Sequence, residues 1–309
     1  MHILIMGSAA GGGFPQWNCN CHNCNRLRAG SFTGKARTQT QVAISADGKN
    51  WCLLNASPDL RLQIEATPAL HPREGSRDSP IAGVVITSAD IDQIAGLLSL
   101  RELQPFCLYC TPAIRRILRE DNTVFGMLNR IPNQVSWVDI ALNREFHLTS
   151  DANLRCTAFS LGNHYPAYVP AARASKLTTG EALTGLLIES SAAGRNKTKV
   201  AYLPAVPALD DDLLKRLESA DLLLFDGTFW SDDELIRVQG SGATAREMGH
   251  IPISGADGSL KKLAILKRPR KIFIHVNNTN PMLDESSEQY QEVRAAGWEV
   301  AEDGWQLEL

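Results

Sequence analysis

Long apolar stretches are missing from this chain. No window approaches the roughly 20 consecutive apolar residues that a membrane-spanning helix needs. The opening MHILIMGSAAGGGFP has an apolar patch but neither a basic leading segment nor enough hydrophobic length for a signal peptide. The chain is therefore expected in the cytoplasm, without membrane insertion. A dominant charge sign is missing too. Lys and Arg number 31 against 34 Asp and Glu, a net charge of -3 over 309 residues, which leaves no global attraction toward nucleic acid or an anionic membrane. The seven cysteines lack the spread of a disulfide framework, since three crowd at Cys19, Cys21 and Cys24. A reducing compartment with metal-bound or free thiols fits them better. No low-complexity segment or linker divides the chain. Glycines at positions 7, 11, 12 and 13 follow the first strand, but they form no G-x-G-x-x-G in register and no GK[ST] follows. A nucleotide loop is thus disfavoured, and the glycines are expected to shape a loop around whatever the cysteines bind.

What is present is an α/β pattern, with 44% hydrophobic residues to fill a substantial core. VVITSADIDQIAGLL, residues 84–98, reads as a buried strand that stops at Ser88, Ala89 and Asp90 and passes into a helix running to about residue 100. Ahead of it, residues 40–54 read as a hairpin turning at Asp47 and Gly48, and residues 60–64 as a short helix. Behind it come a short strand ending at Cys110 and a helix over 112–120. Residues 135–148 and 154–161 alternate like antiparallel strands, and 162–180 is an irregular stretch able to lie over a site. The second half repeats this grammar. Strands over 182–189 and 199–203 precede a helix over 210–219, and an apolar run at 222–225 ends in Asp226. After a polar helical region, His250 and a helix over 258–264, the run 271–274 ends in His275. A helix over 286–296 and a terminal strand close the sequence.

Three apolar strands thus end in metal-ligating residue types: Asp90 with Asp92, Asp226, and His275. Strand ends are where layered α/β folds place ligands. Each residue alone has a structural explanation as a helix cap or a paired loop charge; their recurrence at equivalent places points to a shared divalent metal, and an N/O donor set suits iron or manganese as readily as zinc. The C-x-C-x-x-C of Cys19, Cys21 and Cys24 is the sharper signal. Soft thiolates in a glycine-rich loop, at about 7–30, suit a closed zinc site. A fourth ligand is needed, and His22 is at hand if the loop turns it inward. Cys107 and Cys110, in a strand-like setting, read as packing rather than redox residues, and Cys52 and Cys156 as core. His2, His71 and His147 lack partners at a convincing spacing. The KRPRK run, 267–271, reads as a solvated turn, with attraction of a carboxylated ligand as the alternative.

T-S-A-D-I-D-Q-I-A-G, residues 87–96, resembles the T-H-x-H-x-D-H-x-x-G signature of the metallo-β-lactamase superfamily after replacement of its histidines. With MGSAAGGGFPQWNCNCHNC, ATPAL, AGLLSLRE, LLLFDGTFW, MGHIPISG and FIHVNNTNPML, the whole chain resembles the family of pyrroloquinoline quinone (PQQ) biosynthesis B proteins. The resemblance implies an αββα sandwich, a single domain over 1–309 formed from two related halves. Carried over by position, the first two histidines fall at Ser88 and Asp90, the aspartate at Asp92 and the third histidine at Gln93. A later histidine has its counterpart in His164, the bridging aspartate in Asp226 and the last histidine in His275. His250 lies where phosphodiesterase and tRNA-processing relatives place a catalytic histidine, and the distal ligand of their zinc loop falls at Asn278. Ser88 and Gln93 cannot replace imidazoles as zinc ligands, which disfavours a paired zinc hydrolase.

The function this implies is iron(II)-dependent oxygenation of the tyrosine ring of a cross-linked Glu-Tyr precursor of PQQ. Asp92 and His275 would anchor iron, Asp90 or Asp226 would complete the set, and His250 would move protons. Other PQQ biosynthesis proteins are the expected partners, with a homodimer only as a general prior. Two readings compete: a non-catalytic carrier of PQQ or its precursor, favoured by Ser88 and Gln93, and a phosphodiester hydrolase using Asp226, His250 and His275.

Overall fold

The structure, a computed structural model, describes residues 1–148, 153–190 and 197–309. Among the described residues, the first six strands are β1 (His2–Gly7), β2 (Gln41–Ser45), β3 (Trp51–Leu54), β4 (Ile81–Val85), β5 (Phe106–Cys110) and β6 (Val135–Asp139). They are followed by β7 (Glu145–His147), β8 (Leu154–Gly162), β9 (Leu183–Ser190), β10 (Thr198–Leu203), β11 (Leu222–Asp226), β12 (Arg270–Ile274), β13 (Trp298–Val300) and β14 (Trp305–Glu308). The chain forms two compact units, one of Met1–Met6, Gln41–Thr198 and Gly304–Leu309, the other of Gly7–Thr40 and Lys199–Asp303.

The first unit carries a seven-stranded sheet in the order β14-β1-β2-β3-β4-β5-β6. β2 and β3 form the antiparallel hairpin expected at residues 40–54, and β3 through β6 run parallel. Parallel strands are covered on both faces and so read as unbroken apolar runs. Leu53, Val84 and Leu108 are fully buried, packed in one cluster with Ile94, Leu97, Ile114 and Ile117. The antiparallel set β7-β8-β9 belongs to the same unit, and the Phe146 ring of β7 stacks on Tyr109 of β5 at 5.6 Å. Residues 135–148 therefore do not form a single antiparallel stretch. β6 is parallel to β5, and only β7 pairs in the antiparallel sense.

The helix after β4 is also shorter than its apolar spacing predicts. Ile91–Ile94 is α-helical and Ala95–Arg101 continues as 3-10 turns. Gly96 explains the change. Its N–H donates to the Ala56 carbonyl at 2.9 Å, and a Cβ there would sit 2.2 Å from the Ser57 carbonyl oxygen, so this turn lies directly on neighbouring backbone. Pro112–Arg116 likewise departs from α-geometry over Ile117–Asp121.

In the second unit β10, β11, β12 and β13 are all parallel. Leu222, Leu223, Leu224 and Phe225 are fully buried, and Trp298 stacks on Phe273 with centroids 4.0 Å apart. The register sets Asp226 beside Ile274, so the ends of β11 and β12 deliver Asp226 and His275 to the same edge. The glycine-rich loop joins this edge: Val276 donates to the Ser8 carbonyl and Ala10 to the Val276 carbonyl, each at 2.9 Å. The KRPRK charges are engaged locally. Arg268 pairs with Asp221, Arg270 with Glu299, and Lys271 lies over the Trp298 ring, which supports the solvated-turn reading. Among the described residues no helix is long and apolar enough to cross a membrane.

Candidate metal centres

Two groups of metal-ligating side chains are assembled in the second unit. Asp226, His250 and His275 each place one ligand atom within 4.8 Å of the others, and the same holds for the thiols of Cys19, Cys21 and Cys24.

Asp226 ends β11 with no solvent exposure. Its Oδ2 accepts the Val206 N–H at 2.8 Å and faces His250 Nδ1 at 2.8 Å; its Oδ1 accepts the N–H and hydroxyl of Thr228 at 3.0 and 2.6 Å. Gly227 lets the end of β11 lie close against β12, because a Cβ would meet Phe273 at 2.9 Å and the Ile274 carbonyl at 3.0 Å. Thr228 is the hub. Its Oγ1 lies 2.8 Å from His275 Nδ1 and 3.1 Å from His250 Nδ1. Both imidazoles thus turn Nδ1 toward the Asp226–Thr228 pair. The two imidazoles stack at 5.4 Å, and Phe229 meets His250 edge-on. Burial opposes ionisation of Asp226, yet the flanking His250 and His275 and the hydrogen bonds to the carboxylate hold it below the usual carboxylate range. His275 has a left-handed backbone, φ 57°.

The cysteine group lies at the start of the helix His22–Arg28. The buried Asn278 amide donates to all three sulfurs, at 3.1 Å to Cys19, 3.6 Å to Cys21 and 3.4 Å to Cys24. His22 is not buried and stands outside the group. Burial pushes the Cys21 thiol up to about 12, whereas hydrogen bonds from Cys21, Cys24 and Asn278 outweigh burial at Cys19 and lower it. Asn23 ties the helix to the β12 end, its amide donating to the carbonyls of Asn278 and Asn280 at 3.1 and 3.0 Å.

Asp90 and Asp92 lie in the first unit, half-buried after β4. The Ser88 hydroxyl donates to Asp90 at 2.7 Å and the Gln93 amide to Asp92 at 2.9 Å. Gln93 is buried, with its Oε1 unpartnered among the described residues. Tyr168, from the irregular stretch after β8, donates its hydroxyl to the Ala89 carbonyl. His164 in that stretch is exposed. Cys52, Cys110 and Cys156 are buried with thiols raised by burial, in keeping with packing roles.

Across its full length the chain is 45% identical to coenzyme PQQ synthesis protein B of Methylorubrum extorquens, with 100% of both chains covered. It is 44% identical, again with complete coverage, to the protein of that name in Xanthomonas campestris pv. campestris. The chain belongs to the coenzyme PQQ synthesis protein B family. A profile of the Beta-lactamase superfamily domain matches residues 50–276. The crystal structure of Zn(2+)-bound PqqB from Methylobacterium extorquens superimposes with a TM-score of 0.91 at 44% identity, covering 100% of each chain. The α/β metallo-β-lactamase fold expected from the signature is thereby shown, as is this family's link to PQQ biosynthesis. Thr228, Glu234 and Thr279, all buried around the Asp226 group, escaped the sequence reading. Thr228 stands two residues beyond a strand-end aspartate, a spacing that offered the one usable signal.

Proposed function

We propose that Asp226, His250 and His275 hold iron(II) and that this chain oxygenates the tyrosine ring of the cross-linked Glu-Tyr precursor of PQQ. The observation that carries the reading is the donor set itself, two imidazoles and one carboxylate within 4.8 Å, the combination non-haem iron(II) oxygenases use with open positions left for oxygen and substrate. Bound iron would supply the oxygen-activating chemistry. The protein's part is to hold the donors together: His250 Nδ1 faces Asp226 Oδ2 at 2.8 Å, His275 Nδ1 lies 2.8 Å from the Thr228 hydroxyl, and burial of Asp226 and His275 limits access of bulk water. His250, expected to move protons, joins the ligand set in this reading.

The three thiols are proposed to hold a structural zinc, with the Asn278 carboxamide rather than His22 at the fourth position. Asn278 touches every sulfur, and an amide carries an oxygen donor as well as its N–H.

Anaerobic loading with iron(II), followed by oxygen, precursor and ascorbate as two-electron donor, is expected to add one oxygen atom to the precursor by mass. Asp226→Ala and His275→Ala are expected to lose both the iron and the product. Stoichiometric iron with no mass gain overturns oxygenation and leaves the carrier reading, which PQQ binding without turnover would support. Iron content of Asp90→Asn and Asp92→Asn decides whether those carboxylates belong to the ligand set.

A further inference from the structure

Residues 226–230 and 275–280 converge on one carboxylate that takes no part in either group of ligands. Glu234 is 5% exposed in the first turn of the helix Glu234–Gln239. Its Oε2 accepts the Trp230 N–H at 2.6 Å and its Oε1 accepts the Thr279 hydroxyl at 2.5 Å. Thr279 in turn accepts the Asn277 side-chain amide at 2.6 Å, and the Asn277 N–H donates to the Thr228 carbonyl at 3.1 Å. One oxygen of Glu234 therefore holds the segment that carries Thr228, and the other holds the segment that carries His275. The partners of this carboxylate, Trp230, Ser231, Thr279 and Asn277, are all neutral. A buried carboxylate held without a cation is a costly way to close a turn, and a Gln would fill the same volume.

We propose that Glu234 is a positioning residue for the Asp226–His250–His275 centre, acting through Thr279 and Asn277 to set the spacing between Thr228 and His275. The proposal rests on the reading of that centre as a metal site. Groups behind metal ligands commonly change metal affinity by about 10–100-fold when removed, and the Thr279 hydroxyl is the smallest change that opens this clamp.

The test uses the full chain with zinc already in the cysteine site and cobalt(II) as an optical probe of the second site. Asp226→Asn serves as the control that abolishes the cobalt signal. Thr279→Val is expected to weaken cobalt binding about tenfold, equivalent to about 1.4 kcal/mol, with the zinc content unchanged. Thr279→Ser, which restores the hydroxyl, should bind as the wild type does. Glu234→Gln keeps the volume but puts an amide donor where one of the two accepting oxygens stood, so the Trp230 N–H and the Thr279 hydroxyl can no longer both be satisfied. With the buried charge removed, this variant should fold at least as stably while binding cobalt several-fold more weakly, a split that a purely structural glutamate would not produce. Wild-type affinity in Thr279→Val or in Glu234→Gln overturns the clamp, as does equal weakening in the Val and Ser variants. Should Thr279→Val fail to fold, Glu234→Gln alone decides. Absence of a cobalt signal in the wild type itself, with zinc retained, removes the metal reading and the proposal with it. That outcome is distinct from a variant that behaves as the wild type.

Discussion

Burial raises the Glu234 carboxyl to about 7, against hydrogen bonds from Thr279 and the Trp230 N–H that favour the charged form. In the unfolded chain this group ionises near 4.5. Between these two values the unfolded state has released its proton while the folded state keeps it, so stability falls as pH rises through that window and levels off above it. The difference corresponds to about 3 kcal/mol. Glu234→Gln should flatten the thermal-unfolding profile between pH 4.5 and 7 and raise stability at neutral pH; an unchanged profile would show that the carboxyl ionises normally. Asp226 and His275 were legible in the sequence because each ends an unbroken apolar run. Glu234 was not, since it follows Ser231, Asp232 and Asp233 in a polar stretch, and nothing in sequence tells which acid turns inward. His275 marks the same limit: its ligand character follows from its position, but its left-handed backbone, costing roughly 1–2 kcal/mol, and the Thr228 contacts that hold it appear only in three dimensions.

At the scale of elements, apolar runs located the strands well, because burial on both faces leaves a continuous signal. Helix lengths were less legible. The 3-10 stretch Ala95–Arg101 obeys a backbone contact at Ser57 that is remote in sequence. The cysteine loop was readable from its spacing alone, whereas its connection to the β12 end depends on Asn23 and Asn278, whose side chains carry no pattern. Cys21→Ser should lower zinc to substoichiometric levels by elemental analysis and increase amide exchange in the helix His22–Arg28. Unchanged zinc content would argue against a thiolate site. Because Asn278 lies three residues beyond His275, exchange should also increase at the β12 end.

At the scale of the molecule, the motifs identified the fold and family, since together they span nearly the whole chain. The grouping of segments into compact units was not legible. The first unit is assembled from three separate stretches, and its sheet ends in β14 paired with β1 in the register His2↔Glu308 to Ile5↔Trp305. Short terminal strands carry too little periodicity to announce such a partner. Deleting residues 304–309 should expose the β1 edge, lower Tm by about 5 °C or more and promote aggregation. A deletion variant as stable and monodisperse as its parent would show that β1 needs no cover.

The six residues 275–280 carry a further meaning in the proposed reading. One end faces a site for iron, the other a site for zinc, with only two residues between His275 and Asn278. In that reading, emptying the cysteine site would slacken the segment that presents His275, so the two metal occupancies would fall together.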